Sequence, residues 1–242
     1  MNQAEYKILN SFNISKESNK KIISYVVYMN KNSKRDFVYG FLRNKEHLKN
    51  IYPDWIMRVY VPYDQPKEIV NKLINTGSEV ITYKTNGCHM MVRYLPYDDK
   101  NVKVFIARDA DSLINKRESH AVEEWLNSKY SLHMMSDHPN HVWKLNGGMC
   151  GVKNDWKINL RDAIINYSNK HKFFLGYTCD VHLLSNVLFP IHKDSYLQHY
   201  SAGYKHENSR PFSYTEPIEY NYVGNYAIPA GTFCEKSGWK HP

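Results

Sequence analysis

The sequence lacks any long apolar run. Its first ten residues are mostly polar, and no later segment approaches the roughly 20 uncharged apolar residues that a membrane-spanning helix needs. We therefore expect neither a secretion signal nor a transmembrane segment, and we expect the protein to act in the cytoplasm.

Cysteine is scarce as well. The chain has four, Cys88, Cys150, Cys179 and Cys234, with no Cys-x-x-Cys pair and no regular framework. Zinc sites and disulfide-rich domains usually carry such patterns. We therefore expect reduced thiols and assign the cysteines no chemistry.

Internal repeats, low-complexity segments and linkers are also missing. A chain of 242 residues with 42% apolar and 14% aromatic residues is long enough and apolar enough to fold around one core. We therefore start from a single domain.

The formal net charge of +8 suits an anionic ligand such as a nucleotide diphosphate, but it equally suits loose contact with nucleic acid or acidic lipid.

What the sequence does contain is an alternation of strand-like and helix-like segments. Such an alternation is typical of a mostly parallel sheet that helices cover on both faces. The run at 102–107 is apolar on both sides, which indicates an interior strand. The predicted strands are 21–29, 56–61, 79–83, 102–107, 131–135 and a short stretch at 195–200; the predicted helices are 36–51, 66–75, 89–95, one that Asn115 caps, 155–169 and 180–188, and the tail after Tyr200 is loop-rich.

Two aspartates, Asp109 and Asp111, follow the predicted interior strand. On an extended chain residues i and i+2 point to the same side, so both carboxylates can meet where the strand ends. Ligands of open α/β sheets bind at this end of the strands. Two carboxylates suit Mg²⁺ or Mn²⁺ bridged to substrate phosphates, and such an ion neutralises a departing diphosphate. The alternative is a pair of ordinary turn aspartates.

The same aspartates lie within a longer series of motifs. The motifs are Tyr52-Pro53-Asp54-Trp55, Arg93-Tyr94-Leu95-Pro96, Val102 to Ile106, Arg108-Asp109-Ala110-Asp111-Ser112, Asn115-Lys116-Arg117-Glu118 with Ala121-Val122 and Glu124-Trp125-Leu126, Asp137-His138-Pro139 with His141, and Asn146-Gly147-Gly148-Met149 with Gly151. Several ordered motifs are far more specific than one Asp-x-Asp pair. Over roughly residues 22–200 the series resembles a group of uncharacterised GT-A-type glycosyltransferases of bacteria and large DNA viruses.

The resemblance implies the GT-A (Rossmann-like) α/β fold as one domain, with a nucleotide-binding half at about 20–112, an acceptor-side half at about 113–205 and a loop-rich tail at 206–242. It implies a donor such as a UDP- or GDP-sugar over the first strands, Mn²⁺ or Mg²⁺ on the aspartates, and a glycan or glycoprotein acceptor beside the later loops. A viral member would act in the host cytoplasm. The expected catalytic residues are Asp109, Asp111 and Asp180; the expected donor-binding residues are Tyr28, Arg93, Arg108, Asp109, Ala110, Asp111, Gly147 and Gly148; the expected metal ligands are Asp109, Asp111 and His199.

Two of these roles have structural alternatives. Asp180 is expected at a helix N-terminus, where it could be only a cap; as a functional residue it would deprotonate the acceptor hydroxyl or stabilise the transferring sugar. The group tends to have Asp-Gln here, whereas this chain has Asp180-Val181. His199 ends a strand-like stretch where GT-A enzymes often supply a further metal ligand. Imidazole suits Mn²⁺ better than Mg²⁺, and a packed histidine is the alternative.

Two arginines lie near the aspartates in the sequence. By strand alternation Arg108 points away from Asp109 toward a structural partner, so Arg93 is the better candidate to hold Asp109 or to contact phosphate. A helix-surface salt bridge is the alternative for Arg93. Gly147-Gly148 allows close approach of the backbone to a ligand, or is a plain turn. The segment 137–141 has no thiolates and is a weak zinc signal, so we interpret it as an acceptor-side loop.

Glycosyl transfer is therefore the leading hypothesis. A metal-dependent phosphoryl- or nucleotidyl-transferring enzyme could use the same carboxylates, but the sequence has no P-loop and no helical His-Glu-x-x-His motif. A catalytically inactive basic binding module is the second alternative. Because the sequence has no recognisable basic helix or RNA-binding signature, we expect no specific nucleic-acid partner.

Overall fold

The computed structural model describes residues 4–29, 36–171, 178–215 and 222–225. Its strands are β1 (Tyr6–Phe12), β2 (Lys20–Val26), β3 (Ile56–Pro62), β4 (Glu79–Thr85), β5 (Val102–Arg108), β6 (Leu132–Asp137), β7 (Met149–Lys153), β8 (Tyr196–Ala202) and β9 (Ser209–Arg210). They form one sheet in the order β1-β4-β3-β2-β5-β7-β6-β8-β9. Strand β1 is antiparallel to β4, and β7 is antiparallel to both its neighbours, whereas the remaining pairs are parallel.

The helices pack on both faces of this sheet. They are α1 (Phe37–Ile51), α2 (Lys67–Ile74), α3 (Lys116–Leu126), α4 (Leu160–Lys170), α5 (Cys179–Leu183) and α6 (Phe189–His192), with a 3₁₀ helix at His89–Asp98 and a π-helical turn at Leu184–Leu188. Of the helices in the described ranges, none combines the length and the apolar character that crossing a bilayer requires.

The central strands are buried on both faces because their apolar residues alternate between two clusters. Ile22 and Phe105 pack with the 3₁₀ helix, α4 and α5. Ile23 and Ile106, their chain neighbours, pack with α1, α2 and α3 instead. Successive side chains of a strand point to opposite faces, so the two clusters lie on opposite sides of the sheet. Because both faces of the central strands are buried, these strands appear in the sequence as continuous apolar runs.

The order of connection creates a switch point beside β2. The chain moves from β2 to β3 and β4 in one direction, and the 3₁₀ helix then returns it to β5 on the other side of β2. Because β2 and β5 are parallel, their carboxyl ends meet at one edge of the sheet. Open α/β sheets bind ligands in the crevice outside such a point. The residues that follow β2 and β5 are therefore where a site is expected.

The predicted α/β fold, a mostly parallel sheet flanked by helices, is confirmed. The sequence does not predict β1, β7 or β9. Strand β1 is exposed along most of its length and so has no alternating pattern, and β9 is only two residues long. The predicted loop-rich tail therefore contains one short strand, and its residues 216–221 and 226–242 lie outside the described ranges.

Three predicted helices differ from the structure. The helix predicted at 89–95 is a 3₁₀ helix that ends at Asp98. The helix predicted at 155–169 begins only at Leu160, because the side chain of Asn159 accepts a hydrogen bond from the Asp162 amide at 2.9 Å and caps it there. The helical segment predicted at 180–188 begins at Cys179 and continues through the π-helical turn into α6. The predicted cap of α3 is confirmed, since the side chain of Asn115 accepts from the Glu118 amide at 3.0 Å.

The cysteines correct one prediction. Cys88 and Cys179 form a disulfide, although the sequence predicts reduced thiols. The two residues are 91 positions apart, and the packing of α5 against the 3₁₀ helix brings them together. Spacing along the chain could not reveal this pair. Cys150 is free and buried, and Cys234 lies outside the described residues.

Candidate active site

Two acidic residues lie where β5 ends. Asp109 directly follows the last residue of β5, and Asp111 lies two positions further along the chain. The side chain of Asp109 is 44% exposed, whereas Asp111 is 5% exposed. One carboxylate therefore faces solvent at the switch point of the sheet, and the other lies deeper.

Helix α1 fixes the turn that carries both aspartates. A Cβ on Gly40 would lie 2.1 Å from the carbonyl oxygen of Ala110, so the helix packs directly against the backbone of the turn. The side chain of Asn44 donates to the carbonyl of Ser112 at 2.7 Å and accepts from the amide of Ile114 at 2.8 Å. Ala110, one of the expected donor-binding residues, is buried, and α1 sets the position of its backbone.

A buried arginine connects two sides of the site. Arg93, in the 3₁₀ helix, donates through Nη1 to Oδ1 of Asp109 and through Nη2 to Oδ2 of Asp180 at 2.6 Å. The planar guanidinium carries donors on more than one edge, so it can hold two carboxylates at once. Of the two roles that the sequence allows for Arg93, the structure shows the contact with Asp109, and the guanidinium is buried, so this ion pair does not lie on a helix surface.

The backbone before β7 closes against this ion-pair network. A Cβ on Gly148 would lie 2.1 Å from Oδ2 of Asp109, and a Cβ on Gly147 would lie 2.2 Å from Oδ2 of Asp180. The hydroxyl of Tyr94 donates to the carbonyl of Gly147 at 2.7 Å and holds this backbone in place. A side chain at either position would overlap a carboxylate, so it is the lack of a Cβ that lets the backbone lie this close to Asp109 and Asp180.

Tyr28 brings the end of β2 into the same site. Its ring stacks on His89 with centroids 5.3 Å apart. Burial raises the pKa of Tyr28; the charge of Arg93 lowers it, and the charges of Asp109 and Asp111 raise it. These influences show that the hydroxyl lies within electrostatic reach of the acidic pair. Tyr28, after β2, and the two aspartates after β5 are therefore near one another at the switch point of the sheet.

The fold has a counterpart among solved structures. It is similar to the apo-form glycosyltransferase GlyE of Streptococcus pneumoniae TIGR4, with a TM-score of 0.50 and 14% sequence identity, over 76% of this chain and 46% of GlyE. The two chains share a mixed α/β fold with a mostly parallel sheet flanked by helices. Since the chain spans less than half of GlyE and shares few residues with it, the likeness extends to the fold and not to activity or substrates.

Two further solved structures are more distant. They are the mannosyltransferase PcManGT of Pyrobaculum calidifontis in complex with GDP-Man and Mn²⁺ (TM-score 0.45, 12% identity, 83% of this chain and 58% of that one) and a cytidylyltransferase of Leptospira borgpetersenii serovar Hardjo-bovis (TM-score 0.43, 10% identity, 86% and 82%). At these TM-scores neither carries an argument. No protein family and no curated protein matches the sequence.

Arg108 points away from the acidic pair, as strand alternation predicts. Its Nε donates to Oε1 of Glu118 at 2.9 Å, and the same oxygen accepts from the hydroxyl of Tyr52 at 3.0 Å. All three side chains are buried, and Glu118 belongs to α3. The guanidinium thus has a structural partner, and we leave Arg108 out of the donor-binding residues proposed below.

His199 has its ring nitrogens engaged elsewhere. Nδ1 lies 2.8 Å from Nε2 of His133, and Nε2 lies 3.1 Å from Oε2 of Glu124. Burial lowers the pKa of His199, with the hydrogen bond to Glu124 acting in the opposite direction. Because metal coordination would displace one of these contacts, we leave His199 out of the proposed metal ligands.

Asp180 is not a helix cap. Thr178 occupies the cap position of α5, and Asp180 lies in the first turn, where its Oδ1 accepts from the amide of Val181 at 2.9 Å. The alternative that Asp180 is only a cap is therefore wrong. Its second oxygen binds Arg93, so one guanidinium brings Asp180 and Asp109 together.

The structure brings two further residues, Tyr94 and His141, near the candidate site, and the sequence alone does not identify either as a site residue. Tyr94 contacts both Arg93 and the Gly147 carbonyl, and its position directly after Arg93 in the same motif was the signal available. Burial lowers the pKa of His141 to about 4, while the charge of Asp109 acts in the opposite direction. His141, in the expected acceptor-side loop, therefore lies within electrostatic reach of Asp109.

The acidic pair fits a divalent cation that also has other oxygen ligands. Carboxylate oxygens are the donors that Mg²⁺ and Mn²⁺ prefer. In the part of the chain that the structure describes, no cluster of three or more His, Cys, Asp or Glu side chains could hold an ion by itself. An ion on Asp109 and Asp111 would therefore need phosphate oxygens and water, and Mg²⁺ is usually bound in this way. The Gly148 backbone lies against Oδ2 of Asp109, so an ion would reach this carboxylate from the side on which 44% of the side chain is exposed.

Proposed function

We propose that the protein is a metal-dependent glycosyltransferase, which moves a sugar from a nucleotide-diphosphate sugar to a hydroxyl acceptor. The observation that carries the proposal is the position of Asp109 and Asp111, directly after β5 and beside Tyr28 at the switch point of the sheet. The likeness of the fold to that of GlyE supports it, as does the net charge of +8, which attracts an anionic donor.

The proposed cation is Mn²⁺ or Mg²⁺, held by Asp109 and Asp111. When bound, such an ion supplies Lewis-acid stabilisation of the departing diphosphate. Arg93 holds Oδ1 of Asp109 and so fixes the orientation of this carboxylate before any ligand arrives. The donor-binding residues in the proposal are Tyr28, Arg93, Asp109, Ala110, Asp111, Gly147 and Gly148.

In the proposed reaction the bond between the anomeric carbon and the phosphate oxygen breaks, and its electron pair leaves with the nucleoside diphosphate. The acceptor oxygen forms the new bond to the anomeric carbon. Asp180 is the proposed base that takes the hydroxyl proton. Arg93 lies between Asp180 and Asp109, and its positive charge offsets the repulsion between the two carboxylates.

Metal-dependent nucleotide binding tests the proposal. Melting temperatures are measured with UDP and with GDP, in the presence and absence of Mn²⁺. We expect stabilisation only when nucleotide and metal are both present, by about 2.7 kcal/mol at a concentration 100 times Kd. Asp111→Asn should abolish the response and change the melting temperature of the free protein little. Asp54→Asn, at a side chain that is 78% exposed, is the matched control and should respond like the natural protein.

The reaction products separate the proposed activity from its alternatives. A glycosyltransferase releases nucleoside diphosphate from a sugar nucleotide, whereas a nucleotidyltransferase releases pyrophosphate from a nucleoside triphosphate. Incubation with UDP- and GDP-sugars and Mn²⁺, with water as the acceptor, should yield UDP or GDP. Stabilisation by nucleic acid without any response to UDP or GDP would instead support a basic binding module.

A further inference from the structure

The loop between β6 and β7 connects the candidate site to solvent. At its inner end, Gly147 and Gly148 press on the carboxylates of Asp180 and Asp109. A few residues earlier, Trp143 is 39% exposed. An indole is among the largest apolar groups a protein can present, and here a large part of it is open to solvent beside a candidate site.

The base of this loop is firmly held. The ring of His206 contacts the carbonyl oxygen of Lys144 through Nε2 at 2.7 Å, and Leu145 is fully buried. The side chain of Asn146 donates to the carbonyl of Met135 in β6 at 3.1 Å. Because the residues that follow Trp143 are anchored, its ring is displayed from a fixed backbone, and little conformational entropy would be lost when a ligand binds it.

Trp143 lies on the side of the site away from the expected donor. In the sheet, β7 and β6 follow β5 on one side, whereas β2, which leads to Tyr28, lies on the other. The indole contacts the ring of His182 in α5, with centroids 5.6 Å apart and planes at 67°. Gly147, four positions after Trp143 in the loop, lies against Oδ2 of Asp180, the proposed base, which is two positions before His182 in α5. Trp143 is therefore placed to contact the molecule that receives the sugar.

We propose that Trp143 stacks against a pyranose ring of a carbohydrate acceptor, an inference that rests on the glycosyl transfer proposed above. A pyranose has an apolar face of C–H groups and a rim of hydroxyls, so it suits a single flat aromatic ring flanked by hydrogen-bonding groups. The neighbours of Trp143 fit this chemistry. His182 lies against the indole, and Tyr204, 40% exposed and located after β8, donates its backbone amide at 2.7 Å to the carbonyl of His141, two residues before Trp143.

A protein surface as the direct partner fits less well. Protein partners are recognised through contiguous apolar patches of several residues. In this loop the exposed apolar residues are Val142 and Trp143. The residue before them is His141, and the residue after them is Lys144. The observations therefore favour the sugar of a glycan over a peptide segment.

Acceptor kinetics with a matched tryptophan control test the inference. The probes are p-nitrophenyl glycosides of glucose, galactose, mannose and N-acetylglucosamine in both anomeric forms, with Mn²⁺ and the donor that the protein hydrolyses. Trp143→Ala should raise the KM for the accepted glycoside by about 10-fold, equivalent to about 1.4 kcal/mol, and Trp143→Phe should raise it less. Donor hydrolysis, in which water is the acceptor, should change less than about 2-fold, because the ring contacts only the acceptor.

Trp156→Ala is the control. Trp156 is exposed to a similar degree, 37%, but lies between β7 and α4 with Lys100 over its ring, so its removal should leave both measurements unchanged. Donor hydrolysis without transfer to any of the glycosides, or an unchanged KM in Trp143→Ala, would overturn the role of Trp143 and leave glycosyl transfer standing. Absence of both donor hydrolysis and metal-dependent nucleotide binding in the natural protein would overturn the two proposals together.

Discussion

Gly148 and Asp109 are in direct contact, since a Cβ added to Gly148 would lie 2.1 Å from Oδ2 of Asp109. The register of the sheet causes the contact. Met149, the first residue of β7, pairs with Arg108, the last residue of β5, so the residues just outside this pair face each other. The antiparallel pairing of β7 with β5 thus places the Gly148 backbone against the exposed carboxylate of Asp109 in the candidate metal site.

Gly148→Ala is expected to impair the proposed metal site. The new methyl group would displace the carboxylate of Asp109 from its place on Arg93, because neither the strand backbone nor the buried guanidinium can move freely. Isothermal titration with Mn²⁺ and UDP or GDP should show affinity lowered by about 10-fold or more. As a control, Gly77→Asn places a side chain where nothing lies within 4 Å, in a left-handed conformation that Asn tolerates, and should bind normally.

Arg93 should be essential for stability as well as for the site. In Arg93→Gln the buried carboxylate of Asp180 loses its ion-pair partner, and breaking such a pair typically costs about 3 kcal/mol. Urea unfolding should show this loss. The more exposed Asp109 contributes less of it, because solvent screens its charge.

Two variants check that interpretation of Arg93. Arg93→Met combined with Asp180→Asn removes both buried charges and should recover part of the lost stability. Arg43→Gln breaks the exposed pair with Glu46 and should change the free energy of unfolding by less than about 0.5 kcal/mol. Equal losses in Arg93→Gln and Arg43→Gln would show that burial of the Arg93 pair has no energetic effect.

Stability should fall at mildly acidic pH because of buried histidines. Burial lowers the pKa of His133 well below its usual value, and the charge of His199 lowers it further. Burial also lowers the pKa of His141, to about 4. Below the ordinary pKa of about 6.5, the unfolded chain binds protons at these histidines that the folded protein does not. Their contribution to the free energy of unfolding therefore decreases as pH falls from about 6.5 and is constant above it.

Urea unfolding between pH 8 and pH 5 measures this dependence. Each such histidine adds up to about 1.4 kcal/mol per pH unit to the slope below pH 6.5. In His133→Asn the slope should be smaller by up to that amount, even if the variant is less stable throughout. His120→Asn, at an exposed position, should retain the slope of the natural protein. A slope that is identical in the natural protein and in His133→Asn would contradict the prediction.

The Cys88–Cys179 disulfide should be detectable and stabilising. It closes a loop of 91 residues, and a cross-link of that length reduces the entropy of the unfolded chain, with a typical gain of about 3 kcal/mol. Non-reducing peptide mapping should recover the two cysteines in one linked peptide, and dithiothreitol should lower the melting temperature. Cys88→Ser should melt at the temperature of the reduced natural protein and should not respond to dithiothreitol.

Local patterns in the sequence determined the fold class and the location of the acidic pair. The apolar run before Asp109 indicates a strand that is buried on both faces. Asn115 marks the start of the helix that follows it. Both patterns depend on residues only a few positions apart. The alternation of strands and helices then required a mostly parallel sheet, with ligands at the carboxyl ends of its strands.

Only the tertiary structure decided which residues meet at that edge. Arg93 joins Asp109 to Asp180, which is 87 positions away from Arg93 in the chain, and β7 brings Gly148 against Asp109 from the antiparallel side. The sequence allows His199 and Arg108 in the site, but His199 contacts the buried His133 and Arg108 donates to the buried Glu118. Contacts between distant segments depend on sheet order and register, and local periodicity carries no record of either, because each strand pattern is the same whichever neighbour it pairs with.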